Sequence, residues 1–299
     1  MLKKIHLPMS GLALGLAALG NLLQSHSEFL RGLCGVLAAI VFILVTVKMF
    51  SSWSGFMAEM ENPVISSVYA TYPMALMLLA GYVKPFLGGV ATVLWYVAII
   101  AQFVLYAWFA LKFVFNFDIR KVFPSWFIVY VGAVVASVTA PAFDALLLGQ
   151  IIFWIGLVGL LILLPIVFYR VYKVGEIKPP VRPNLAIFTA PTALCLAGYM
   201  NSFPEKNMAM VWFLTLLSQA LYFFVLIQLP KMLQPKFLPS YSAFTFPLVI
   251  SALSLKLANA QVFQAGSLKI LVLVETVIAT LAVFYVLYGY TRLMLAREN

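Results

Sequence analysis

The chain has 299 residues, 64% of them hydrophobic and 9% charged, with a mean hydropathy of +1.05 and a formal net charge of +10. So apolar a composition excludes a soluble globular domain. The positive balance is not a nucleic-acid signature either, because the basic residues are not interleaved with stacking aromatics on a polar face.

A bilayer-spanning helix takes about 20 mostly apolar residues. Cutting the chain at its polar clusters predicts ten spans, at 7–23, 28–50, 63–83, 86–112, 123–143, 146–172, 183–202, 207–232, 238–259 and 267–292. The reading is an all-α integral membrane protein with a single transmembrane domain, 1–299. Lys3 and Lys4 ahead of the first span resemble the start of a secretory leader. Pro8, Gly11, Gly15 and Gly20 interrupt that span and no A-x-A cleavage site follows it, which favours a retained helix.

With ten spans both termini share a face. Of the 19 Lys and Arg, only Arg31, Lys84, Lys206, Lys256 and Lys269 fall opposite; the rest, from Lys3 and Lys4 to Arg292 and Arg297, lie on the termini's side. The positive-inside rule therefore puts both termini in the cytoplasm. The net charge reflects this topology and contact with anionic lipid. Cys34 and Cys195 each stand alone in an apolar segment and read as small packing residues.

In chain order, the odd-numbered segments differ from the even ones. Each odd segment opens near a proline, Pro8, Pro63, Pro124, Pro183 and Pro239, at spacings of 55, 61, 59 and 56 residues. A proline in a first turn forfeits no hydrogen bond. Four odd segments carry a second proline in their interior, Pro73, Pro141, Pro191 and Pro247, where a missing N–H and a crowded carbonyl predict a kink. These segments also hold hydroxyls, among them Thr71, Ser137, Thr139, Thr192 and Ser242. Even segments are smoother and carry Trp95, Trp108, Trp154, Trp212 and Tyr222, read as interfacial anchors.

Backbone defects are tolerated at membrane depth only where protein or a cavity shields them. The predicted arrangement is therefore five helical hairpins, with an inner ring of five kinked odd helices around a central pore and an outer ring of five even helices. Gly11 and Gly15 would let the first inner helix approach its neighbours. The competing reading is that the hydroxyls bond between helices with no passage at all.

Phe246 directly precedes Pro247 in the run Ser240 to Lys256. A ring at that weak turn is either a plug for the passage or one more of the chain's 25 packing phenylalanines. Glu275 is the one acid well inside a span, at roughly 2.5–3.5 kcal/mol unless compensated. Lys256 or Lys269 could pair with it; a proton-coupling carboxylate is the alternative. Histidine and cysteine number two each, and there is no H-E-x-x-H, C-x-x-C, phosphate-binding G-x-x-x-x-G-K-[ST] or paired central carboxylate. Catalytic residues, metal ligands and cofactors are therefore not expected.

The stretches GLALGLAALG (11–20), ENPVISSVYATYPMALML (61–78), FPSWFIVYVGAVVASVTAP (123–141), LAIFTAPTALCLAGY (185–199), SQALYFFVLIQL (218–229) and YSAFTFPLVISAL (241–253) carry a likeness that covers essentially the whole chain. The chain resembles the tellurite-resistance/dicarboxylate transporter family, which holds the bacterial tellurite-resistance protein TehA, the guard-cell slow anion channel, malate permeases and sulfite exporters. The resemblance implies ten helices with the odd ones lining a pore in each subunit, a homotrimer, and a place in the bacterial cytoplasmic (inner) membrane. It also implies closure of the pore by a phenylalanine of the ninth helix. That role maps onto Phe246, with Phe244 as competitor, and Val249 and Leu253 join the pore-lining positions of the same helix.

No charged residue falls in the middle of an odd helix, and fast conduction needs ions to leave as easily as they arrive. The expected function is passive passage of small inorganic anions, chloride and nitrate. The alternatives are a proton-coupled C4-dicarboxylate, tellurite or sulfite transporter and a membrane scaffold that moves no solute.

Overall fold

The structure, a computed structural model, describes residues 4–234 and 236–296; Lys3 and Arg297 of the orientation reading lie outside the described residues. All regular structure among the described residues is helical. The long even segments form much as expected: α2 (Glu28–Ser51), α6 (Gly89–Phe109, extended by a π turn through Val114), α9 (Leu146–Lys173), α11 (Met208–Met232) and α13 (Gly266–Leu295). Two of these starts follow from side chains that take up the free N–H groups of a first turn. Ser27 accepts from the Leu30 amide and opens α2, and Asn207 accepts from Ala209 and Met210 and opens α11. One helix was not anticipated, α3 (Trp53–Met60), in the connection between the second and third segments.

The first odd segment is a short continuous helix, α1 (Met9–Leu23). The other four are broken. The third segment is α4 (Pro63–Tyr69) and α5 (Thr71–Leu87), interrupted at Ala70. The fifth is α7 (Trp126–Tyr130) and α8 (Val135–Thr139), with 3-10 turns at 132–134 and 140–143. A 3-10 stretch over 179–189 precedes α10 (Ala190–Ser202), and one over 239–244 precedes α12 (Phe246–Ala258).

This corrects the role of the second prolines. Pro191 and Pro247 occupy the first turn of α10 and α12, Pro141 that of the 3-10 turn at 140–143, and Pro73 is the third residue of α5. They do not bend a continuous helix. They restart one after a break, at positions whose N–H would lack an intrahelical acceptor in any case.

The hydroxyls serve the same breaks. Thr71 donates to the Val68 carbonyl (2.8 Å), Thr189 to Ala186 (3.0 Å), and Thr139 to Val135 (2.9 Å). Thr245, at the interruption before α12, bonds the carbonyls of Ser242 (2.7 Å) and Gly11 (2.9 Å). Ser137 reaches the Gly149 carbonyl of α9 (2.7 Å). Even helices assist: Gln102 donates to Val129 (3.1 Å), and the Trp95 indole to Thr139 (2.8 Å). Trp95 and Tyr222 are thus buried packing residues and not interfacial anchors, whereas Trp154 and Trp212 are half exposed.

Among the described residues seven helical stretches are long and apolar enough to cross a membrane; the expected span 7–23 is one shorter helix, and 123–143 and 183–202 are made of shorter pieces. Burial separates the seven. In Pro63–Leu87 and Pro239–Phe263, 67% and 78% of the most apolar window is buried, against 28–39% in the five spans of even number. α1 and α10 are buried along nearly their whole lengths. The core therefore follows the odd segments, and the exposed apolar surface follows the even ones.

Candidate functional site

Three cavities follow one another through the buried elements. The first, about 280 Å³, opens beside His6, Glu59, Asn62, Asn184 and Ser240. It shares Val68 and Ser242 with a second, about 40 Å³, whose wall takes residues from all five odd segments: Gly11, Thr71, Phe127, Pro191 and Phe246 represent them. The third, about 20 Å³, is bounded by Ala18, Asn21, Leu78, Val138 and Leu253. Only Leu194 and Phe246 line both the second and the third. A single water needs on the order of 10–15 Å³ by this measure, so the inner two hold a few waters at most and no hydrated anion.

The break in the ninth segment gives Phe246 this place. α12 begins at Phe246, so its ring leaves the first turn of a new helix. Thr245 ties that point to α1 through the Gly11 carbonyl. Close approach there requires glycine: a Cβ built on Gly15 would lie 2.5 Å from that of Thr245, and one on Gly11 3.2 Å from that of Ser242. Phe246 is 5% exposed.

Among the described residues no charged side chain lines the second or third cavity. At the first, Glu59 is paired with Lys48 at 2.5 Å, which offsets its repulsion of anions. His6 sits beside that pair; burial first, then the Lys48 ammonium, hold its pKa below the ordinary imidazole value, with Glu59 opposing. Among the described residues no group of three or more His, Cys, Asp or Glu is gathered to hold a metal, and Cys34 and Cys195 are free and buried.

Of the residues singled out from sequence, Gly11, Thr71, Pro191, Ser242, Phe246 and Pro247 come together around the second cavity, and Leu253 borders the third. Gly15, Pro73, Pro141, Ser137, Thr139, Thr192 and Val249 line none of the three. Ser137 and Thr139 are engaged with backbone carbonyls, Thr192 is buried with its hydroxyl unpartnered, and Val249 is buried. Phe244 points elsewhere, packing against Tyr241 with ring centroids 5.0 Å apart.

The ion pair of Glu275 with Lys256 is not formed. Lys256 donates to the Leu22 carbonyl and the Ser25 hydroxyl, both at 2.6 Å. Both Glu275 oxygens are buried without a hydrogen bond, beside Ser251 and Gln219, whose own side chains are also unpartnered. The carbonyl left at the end of α1 lies nearer the ammonium and captures it. Sequence reasoning missed Val68, Phe127, Ile187 and Leu194, because an apolar residue facing a narrow passage has the same composition as one facing lipid. The proline period marked their segments but not their faces.

Comparison with curated proteins returned no match. The family described as voltage-dependent anion channel, SLAC1, matches residues 4–291. With nearly the whole chain matched and the cavities bounded by its five odd segments, the protein belongs to this membrane anion channel family, within the tellurite-resistance/dicarboxylate transporter group.

Proposed function

We propose that the protein conducts small monovalent anions, chloride and nitrate, passively along the three cavities, and that Phe246 closes the path in the conformation described. The observation that carries this reading is the position of Phe246 between the second and third cavities, shared only with Leu194. An uncharged ring at that point makes the barrier steric and dehydrating. Opening then requires a side-chain rotation or a movement at the Thr245 break. The inner two cavities, lined by uncharged side chains among the described residues, suit weak binding and fast exit, and the +10 net charge supplies a long-range attraction for anions.

The architecture that goes with this function is ten membrane-crossing segments in five hairpins, the odd ones forming the inner ring. Support comes from the burial contrast between odd and even segments and from cavity walls built of odd segments and the α3 connection. In this reading both termini are cytoplasmic on the positive-inside count, and the bacterial inner membrane and the homotrimer follow the resemblance. Glu275, buried and unpartnered, favours a second reading, a proton-coupled carrier of dicarboxylate, tellurite or sulfite.

Flux into proteoliposomes separates the two. For the channel, Phe246→Ala raises chloride and nitrate uptake at least tenfold over wild type, independent of a proton gradient. Uptake of malate that follows the proton gradient and is lost in Glu275→Gln, with no anion leak in Phe246→Ala, selects the carrier.

A further inference from the structure

A fourth cavity, about 550 Å³, lies away from the three that form the candidate path and shares no lining residue with them. It is enclosed by the chain just after α1, the π turn that ends α12 and the first turns of α13. Lys256, Lys269 and His26 line it, with Ser25, Asn259 and Gln264, and among the described residues no acidic side chain does. The ion pairs among the described residues engage Glu28, Glu59, Glu61, Asp118 and Glu176, none with either of these lysines.

This concentration of positive charge is placed where the chain otherwise avoids it. Only five of the 19 Lys and Arg fall on the face opposite the termini, and two of those five meet in this one cavity. Lys256 spends two donors on Leu22 and Ser25, which fixes its ammonium at the rim and leaves a third N–H. Asn259 accepts the Ala265 amide at 2.9 Å, leaving its amide NH₂ free to donate. α13 starts without a side-chain cap or an acid in its first turn, so its positive dipole end adds to the same field.

The volume and the set of donors exceed what chloride needs and suit a multi-oxygen anion. Val272 and Leu273 complete the wall, and Leu273, Ile270 and Val277 continue as exposed apolar surface down α13. An acyl chain would lie along that surface. We propose that this cavity binds a phosphate-bearing anion, the headgroup of an anionic phospholipid of the leaflet opposite the termini, at a site separate from the permeation path.

The test is native mass spectrometry of the full chain in detergent with phosphatidylglycerol or phosphatidylcholine, with and without inorganic phosphate, on wild type, Lys269→Gln, Lys256→Gln and Lys84→Gln. Lys269 is exposed, so its variant is expected to fold, and Lys84 is a cation of the same face outside the cavity. Wild type should retain phosphatidylglycerol preferentially; Lys269→Gln should cut that preference about fivefold, Lys256→Gln at least as much, and Lys84→Gln not at all. Displacement by millimolar inorganic phosphate would assign the site to the oxyanion alone, and resistance to it would assign the whole lipid. Equal retention of the two lipids by wild type, or an unchanged preference in both cavity variants, would overturn the proposal.

Discussion

Gly15 sits against Thr245 and the start of α12, and its substitution tests the contact that fixes the Thr245 break. In Gly15→Ala the new methyl would stand 2.5 Å from the Thr245 Cβ, 2.6 Å from its hydroxyl and 3.0 Å from the Phe246 amide. The last of these is backbone and cannot turn aside, so the two helices must separate, at about 1–3 kcal/mol. A fall in Tm of the detergent-solubilised protein is the expected result, and an unchanged Tm would mean that the helices are less closely joined.

His6 gives a pH dependence whose sign is fixed. Its pKa is lowered in the folded protein by burial and by Lys48, so the unfolded chain binds the proton more readily. Stability from this residue is present above the unfolded value near pH 6.5 and is lost as pH falls through and below it. Thermal unfolding followed from pH 7.5 to 5.5 should show Tm falling in wild type and falling less in His6→Gln. Equal slopes would remove His6 from the account.

At the scale of elements, the sequence made the odd segments legible as a class but misjudged how they are built. The proline period is a strong signal because each proline removes a donor wherever it lies. It does not say whether the chain around it bends or stops. Thr245, with φ −84° and ψ −88°, lies outside helical geometry, and the hydroxyls of Thr71, Thr139, Thr189 and Thr245 bond backbone carbonyls three or four residues back, next to these breaks. The hydroxyls were therefore informative mainly about backbone contacts, with Thr71 and Ser242 the two of those singled out that also line the second cavity.

The same view makes a prediction for Pro247. As a first-turn residue it stabilises mainly by restricting the unfolded chain, so Pro247→Ala should lose only about 0.4–1 kcal/mol and leave the closed state closed. A large gain in current or a helix straightened through residue 245 would favour the interior-kink reading. Long-range partners were not legible at all. Trp95 reaches Thr139 from 44 residues away and Gln102 reaches Val129 from 27; no local pattern encodes either. The Lys256 ammonium found the end of α1 and not Glu275 for the same reason.

At the scale of the whole molecule, hydropathy alone distinguished membrane from soluble protein, and the residue-level likeness reached the family that the matched region then established. The apolar faces that line the cavities stayed hidden, since Phe127, Ile187 and Leu194 carry no mark that separates them from lipid-facing neighbours. The scales meet in three observations: the broken odd segments are buried, the smooth helices carry the exposed apolar surface, and Phe246, at the restart of α12, borders two adjacent cavities; the proposed function joins them into one arrangement.

The most direct test of that arrangement is current through a planar bilayer free of other channels, in symmetrical chloride and then nitrate, for wild type and a size series at one position: Phe246→Leu, Phe246→Val and Phe246→Ala. The account predicts a nearly silent wild type and conductance that rises as the side chain shrinks, with Phe244→Ala remaining silent. Currents that are equally absent across the series, or that open at Phe244 and not at Phe246, would contradict it.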